Sequence, residues 1–180
     1  FLSLRWFKYT SRAIQRGDYT SIFASVMTQL IHTTPNADRN TLYTELLPQI
    51  KHLIQGEPSL IANMANVASV LYHTLRFHWV GFYLVEENEL VLGPFHGPVA
   101  CTRIARGKGV CGHAWVENKT TNVPDVEAFP GHIACSALSR SELVVPVRKN
   151  NHVIAVLDID STRINDFHEH DVAFFKALSQ

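Results

Sequence analysis

The spacing of apolar residues changes near His78, and this change most constrains the fold. Before it, apolar residues recur every three or four positions, which predicts helices over residues 19–32, 42–54 and from about 57 to 75. Pro48 should kink the second helix or mark its true start. The third should begin near Pro58 and bury one stripe, which consists of Leu60, Ile61, Met64, Val67, Ala68, Leu71 and Leu75.

Runs of β-branched and aromatic residues dominate the sequence after this point. Residues 78–85 and 89–92 predict a β-hairpin, which Gly93 and Pro94 should end, leaving an irregular stretch to Cys101. A short helix is expected over 113–118, a strand over 121–123 and a long loop over 126–141. Strands over 143–148 and 153–159 should flank a tight turn, and a helix should follow over 167–180. Helices beside a mostly antiparallel sheet predict an α+β domain.

Size and charge narrow the function classes. The chain has 180 residues, enough for one compact domain. Its 16 basic and 16 acidic residues cancel, which argues against nucleic acid as a partner. No apolar run approaches the roughly 18 residues of a membrane span, so no membrane partner is expected. The basic segment over 1–17 fits an ordinary first helix better than an organelle-targeting segment.

Three cysteines, Cys101, Cys111 and Cys135, fall within or beside the segments predicted to be irregular. An odd number cannot pair completely within one chain, so a disulfide framework is excluded. Each could be a small buried hydrophobic residue, but three within one short window favour reactive thiols. Such thiols fit a cytoplasmic enzyme with reduced cysteines.

Two carboxylates share one face of a strand expected to be buried. Asp158 and Asp160 end the apolar run over 153–160, and alternation points both side chains the same way. Burial and mutual repulsion should raise at least one pKa, as in an acid/base device or a seat for an ammonium group. Glu142 is a possible third member. The alternative is that all three are solvated at strand or loop ends.

A metal site is a weaker alternative. Histidines and cysteines that could supply zinc ligands are His96, Cys101, Cys111, His113, His132 and Cys135. Their spacings fit no common zinc pattern, so no metal is expected. The glycines at 107 and 109 lack the full phosphate-binding pattern GxxxxGK[ST] and indicate a sharp bend.

Seven ordered motifs then give a specific resemblance: HWVGFY (78–83), LGPFHGP (92–98), ACTRI (100–104), GKGVCG (107–112), FPGHIAC (129–135), SELVVP (141–146) and VLDIDS (156–161). The sequence closely resembles the free methionine-R-sulfoxide reductase family, which uses a GAF-type domain. The resemblance runs from about Glu57 to the C-terminus and does not cover the segment before Thr41. It implies a GAF-like fold, with a central antiparallel sheet, helices on one side and a loop-covered pocket on the other. A helical, basic extension over 1–40 would precede a catalytic domain over 41–180.

The resemblance also implies the roles of individual residues. Cys135 matches the nucleophile, Cys101 the principal resolving thiol and Cys111 an auxiliary one. Carboxylates that hold the substrate and assist catalysis match Glu142, Asp158 and Asp160. Trp79 and Tyr83 match aromatic residues that line the methyl-sulfoxide end of the pocket. The residue after the nucleophile is usually Asp in this family and is Ser136 here, which removes a negative charge beside the nucleophile.

The implied activity is thiol-dependent reduction of free methionine-R-sulfoxide. It needs no cofactor, and a dithiol of thioredoxin type would recycle the enzyme. Family members are often dimers, which implies a possible homodimer. Two other functions stay open: a non-enzymatic GAF sensor of a small ligand, and a cysteine hydrolase in which His113 or His132 assists Cys135.

Overall fold

The computed structural model describes residues 31–133 and 135–180, so the predictions for residues 1–30 lie outside it. Ile31–Gln180 form one compact unit. Within it the elements follow in this order: α1 (Arg39–Ile54), α2 (Leu60–Leu75), β1 (Trp79–Glu86), β2 (Glu89–His96), β3 (Arg103–Ala105), α3 (Gly109–Glu117), β4 (Thr121–Val123), a 3-10 turn (Val126–Ala128), β5 (Ser141–Lys149), β6 (His152–Ser161) and α4 (Glu169–Leu178). None of the helices in this part of the chain is long and apolar enough to cross a membrane.

The six strands form one antiparallel sheet in the order β3-β2-β1-β6-β5-β4. One face packs against α1, α2 and α4, through residues such as Leu46, Leu71 and Phe175. The other face packs against α3 and the loops, through residues such as Val110 and Ala114. The predicted α+β class is therefore confirmed, as is the layered arrangement that the resemblance implies, with the refinement that α3 lies on the pocket side.

Strand alternation divides the central strands between these two faces. On β6, Leu157 and Ile159 belong to the helix-covered core, so Asp158 and Asp160 point to the pocket face. Asp160 pairs with Trp79 of β1 on one side and with Glu142 of β5 on the other. The register therefore gathers the three predicted carboxylates at one end of the sheet.

The helices α1 and α2 begin at side-chain caps. Asp38 accepts a hydrogen bond from the backbone of Thr41, and Ser59 accepts one from Ala62. α1 starts nine residues before Pro48, so the idea that this proline marks its start is wrong. The predicted boundary between residues 40 and 41 falls within the first turn of α1, and the domain division stays a prediction.

The stripe of α2 is buried from Met64 to Leu75, but Leu60 and Ile61 are 42% and 52% exposed. Periodicity assigns these two to the buried face, yet the first turn of the helix lies beside an open groove that Leu60 shares with Ile54. The prediction for Leu60 and Ile61 was therefore wrong.

Two other predicted boundaries are corrected. Gly93 and Pro94 do not end β2, which continues to His96, and the β1–β2 register shifts between Gly81 and Tyr83. This local bulge accommodates Pro94, which has no backbone N–H to donate to a neighbouring strand. The helix expected over 113–118 begins at Gly109, whose φ of +60° a glycine adopts without strain.

Candidate active site

Three carboxyl groups line a small cavity of about 30 Å³ on the pocket face. Glu142 is 7% exposed and Asp158 is 6% exposed, and Asp160 contributes to the same lining. Because β5 and β6 are paired strands of the central sheet, the acids are held by backbone hydrogen bonds rather than by a loop. The alternative that all three are solvated is wrong for Glu142 and Asp158.

These groups have strongly shifted pKa values. Burial, with the charges of Asp158 and Asp160, raises the pKa of Glu142 well above its usual value. Burial raises the pKa of Asp158 to about 7. Burial and the charge of Asp158 also raise the pKa of Asp160 well above its usual value. At neutral pH the cluster therefore retains protons.

Cys111 joins the cluster from α3. Its Sγ donates to Glu142 Oε1 at 3.8 Å, and its side chain is buried. Burial, with Asp158 and Glu142 nearby, raises the pKa of this thiol well above its usual value. Cys111 was expected at an irregular segment, but it lies in the first turn of α3, and its burial beside Asp158 and Glu142 favours the neutral thiol.

A disulfide joins Cys101 to Cys135 beside this cavity, with a Cα–Cα distance of 5.3 Å. This is the pairing that the resemblance implies for nucleophile and resolving thiol. Cys135 lines the cavity, and it lies in the long connection between the 3-10 turn and β5. Ile133 of the same connection covers Gly109, so the disulfide-bonded loop closes over the start of α3.

The two predicted aromatic residues are close to this site but do not line the cavity. Trp79 donates from Nε1 to the carbonyl of Pro98 at 3.1 Å, and Tyr83 donates to the carbonyl of Cys101 at 3.1 Å. Their rings stack with centroids 5.9 Å apart, and both side chains are buried. In this oxidised state they hold the segment that carries Cys101. Their contact with the substrate stays a prediction.

His78 is a site residue that the sequence analysis did not identify. Its Nε2 lies 3.0 Å from the Oγ of Ser136, the residue after Cys135, and its backbone N–H donates to the carbonyl of Asp160 at 3.0 Å. It thereby links the loop of Cys135 to the strand of the carboxylates. The position of His78 just before β1 could have indicated this contact, because β1 and β6 pair at the end of the sheet that carries the carboxylates.

The six possible zinc ligands do not assemble into one group. Cys101 and Cys135 are joined to each other, His96 stacks on Tyr72, and His113 packs against Phe129. His132 does line the cavity, as the hydrolase alternative requires. A different set of donor atoms lies together, with one atom each of Cys111, Glu142 and Asp158 all within 4.8 Å of one another.

Comparison with known proteins supports one family. Residues 59–180 match the GAF domain. GAF domain-containing protein A of Dictyostelium discoideum is 60% identical over 76% of this chain and 87% of its own. The free methionine-R-sulfoxide reductase of Escherichia coli is 45% identical over 74% of this chain and 82% of its own. The X-ray structure of free methionine-R-sulfoxide reductase from Neisseria meningitidis in complex with its substrate is 47% identical, with a TM-score of 0.82 over 84% of this chain and 92% of that one. The chain belongs to the free methionine-R-sulfoxide reductase family of GAF-domain proteins.

Proposed function

We propose that this protein reduces free methionine-R-sulfoxide to methionine, with electrons from its own thiols. The observation that carries the proposal is the Cys101–Cys135 disulfide beside three carboxyl groups that line one cavity, two of which, Glu142 and Asp158, are buried. A redox-active thiol pair and an acid together are what sulfoxide reduction requires, because the sulfur is electrophilic only when its oxygen is neutralised.

The reaction begins with both cysteines reduced. Cys135 attacks the sulfoxide sulfur as a thiolate while a carboxyl group protonates the oxygen. The oxygen passes to Cys135 as a sulfenic acid, and methionine leaves as the thioether. The Cys101 thiol then displaces water from the sulfenic acid and forms the disulfide. One sulfoxide and two thiols thus give one methionine, one disulfide and one water.

Glu142 is our first choice for the acid, with one of the aspartates as the alternative. A general acid must be protonated at working pH, and burial beside two other carboxyl groups has this effect on Glu142. Its hydrogen bond from Cys111 supports the position of the carboxyl group within the cavity. Cys111 would act as the auxiliary thiol.

Asp158 and Asp160 would bind the ammonium group of the substrate. Both lie on the cavity lining, and an ammonium group would allow both to ionise together. A peptide-bound methionine sulfoxide lacks this group and would leave the buried charges unpaired, so it should be rejected. Trp79 and Tyr83 would then lie nearest the methyl-sulfoxide end.

Between turnovers the cavity must open and the Cys101–Cys135 disulfide must be reduced. A cavity of about 30 Å³ has space for about two water molecules, far too little for an amino acid. Reduction of the disulfide should therefore release the loop of Cys135 and admit substrate. The reductant would be a thioredoxin-type dithiol, and a reducing compartment such as the cytoplasm supplies one. Homodimer formation stays a prediction, which sedimentation analysis can test.

The test is a thioredoxin-coupled assay with free R, free S and peptide-bound methionine sulfoxide. Only the free R form should be turned over, and Cys135→Ser should remove the activity. Glu142→Gln should lower kcat, whereas Glu117→Gln, at an exposed glutamate on α3, should not. Full turnover by Cys135→Ser would refute the assignment of the nucleophile. Ligand binding without thiol-dependent turnover would favour the sensor, and a trapped acyl-enzyme would favour the hydrolase.

A further inference from the structure

Cys111, Glu142 and Asp158 offer one sulfur and two carboxylate oxygens that converge within 4.8 Å. We propose that these three side chains bind a single thiophilic divalent cation, such as Zn²⁺ or Cd²⁺, and that the bound ion blocks the pocket. Thiolate and carboxylate are both ordinary ligands of Zn²⁺. The ion is an inhibitor in this proposal, because the reduction of a sulfoxide by thiols needs no metal.

The geometry requires little rearrangement. With bonds of about 2.3 Å to sulfur and about 2.0–2.2 Å to oxygen, tetrahedral ligands lie roughly 3.3–3.7 Å apart. The sulfur of Cys111 is already 3.8 Å from Glu142 Oε1. Side-chain movements of about 1 Å would bring the three donor atoms from within 4.8 Å of one another to the separation that a tetrahedral ion requires. The fourth position remains for a water molecule.

A second observation points to a ligand at this position. Asp158 Oδ1 is buried and has no hydrogen-bond partner among the described residues, although Asp158 is 94% buried on the cavity wall. A buried oxygen without a partner carries a desolvation cost that a cation would relieve. The donors also come from three elements, α3, β5 and β6, so the site is built by the fold rather than by one loop.

Compensation of negative charge favours a divalent cation at this site. Three ionised donors would place three negative charges together in a buried volume, and protons are the alternative compensation. A bound Zn²⁺ replaces those protons, so binding should release at least the thiol proton of Cys111. Affinity should therefore rise with pH.

The cavity admits the ion but not an amino acid, because it has space for about two water molecules. The site should consequently form even with the Cys101–Cys135 disulfide intact. It overlaps the position of the substrate ammonium group, so the ion should compete with the substrate; this consequence alone rests on the proposed function.

The oxidised protein gives a clean experiment, because the disulfide leaves Cys111 as the free cysteine. Cd²⁺ is titrated into tag-free oxidised protein while the thiolate-to-cadmium charge-transfer band is recorded. We expect saturation at one ion per chain. Cys111→Ser should remove the band, and Asp158→Asn and Glu142→Gln should weaken binding at least tenfold. Glu117→Gln is the matched control and should bind as the wild type does.

The result that overturns the proposal is a missing band in the oxidised wild type, or a band whose affinity is unchanged in Asp158→Asn. Circular dichroism of each variant shows whether the fold is retained, and the titration of folded variants is then decisive. In the coupled assay, Zn²⁺ should raise the KM for the sulfoxide, and Cys111→Ser should lose this sensitivity. Absence of turnover would refute the proposed function and leave the cadmium titration unaffected.

Discussion

Asp158 should make the oxidised protein less stable at neutral pH, and Asp158→Asn should therefore stabilise it. Its pKa is about 7 in the folded chain against an ordinary value of 3.8, because the carboxyl group is buried. A group whose folded pKa is raised contributes stability fully below its unfolded pKa and loses it as pH rises through the folded pKa. The loss for Asp158 thus develops between about pH 4 and pH 7.

The magnitude follows from the size of the shift. At 1.36 kcal/mol per pKa unit, a shift of about three units corresponds to about 4 kcal/mol above pH 7. An asparagine is neutral at every pH and avoids this cost. Total stabilities of about 5–15 kcal/mol make the effect large. From pH 5 to pH 8 the advantage of the variant should grow by about 3 kcal/mol, or roughly 6–12 °C in Tm.

Urea unfolding of the oxidised wild type and variant, at pH 5 and pH 8 without reductant, measures this change. Asp166→Asn is the matched control with the opposite sign. Burial acts to raise the pKa of Asp166, but the hydrogen bond from Ser161 and the charges of Arg163 and Arg39 outweigh it and lower that pKa. Asp166 therefore contributes its full stabilisation at any pH above its unfolded pKa. Because pH 5 and pH 8 both lie above that value, Asp166→Asn should lose the same free energy of unfolding at both. An advantage of Asp158→Asn that fails to grow with pH would refute the reasoning.

Two further substitutions test contacts away from the acids. His78→Ala removes the side-chain link to Ser136, and the loss of about 1 kcal/mol should lower kcat/KM roughly fivefold, with partial recovery in His78→Asn; unchanged steady-state kinetics would contradict this role. Tyr43→Phe removes the 2.5 Å hydrogen bond to the buried carboxylate of Asp171, and urea unfolding should show a loss of about 1–3 kcal/mol. An unchanged urea midpoint would show that the remaining partners of Asp171 suffice.

The sequence predicted the fold where local patterns are strong. The asparagines at 150 and 151 adopt positive φ between β5 and β6, as a tight hairpin turn requires. Alternation along β6 then places Asp158 and Asp160 on one face. These features depend on residues close together in the chain, so a single sequence suffices to predict them.

Features that depend on distant pairing were not predicted. The contact of His78 with Ser136 joins residues 58 positions apart, and the position of His78 just before β1 indicates it only once the pairing of β1 with β6 is known. The exposure of Leu60 and Ile61 depends on what packs against the first turn of α2, which periodicity does not report. The burial of Cys111 follows from α3 packing on the sheet, while its glycine neighbours indicate only a bend.

The division of the site between strand and loop fits the chemistry. Asp158 lies between Leu157 and Ile159, and both are buried in the helix-covered core, so that core fixes the acid on the opposite face. The proposed recognition of an ammonium group needs such rigid support. In the proposed mechanism Cys135 must instead reach first the substrate and then Cys101, and it lies on a long connection rather than on a strand. Substitutions in the helix-covered core should therefore impair substrate recognition, whereas substitutions in the loop should impair the formation of the disulfide.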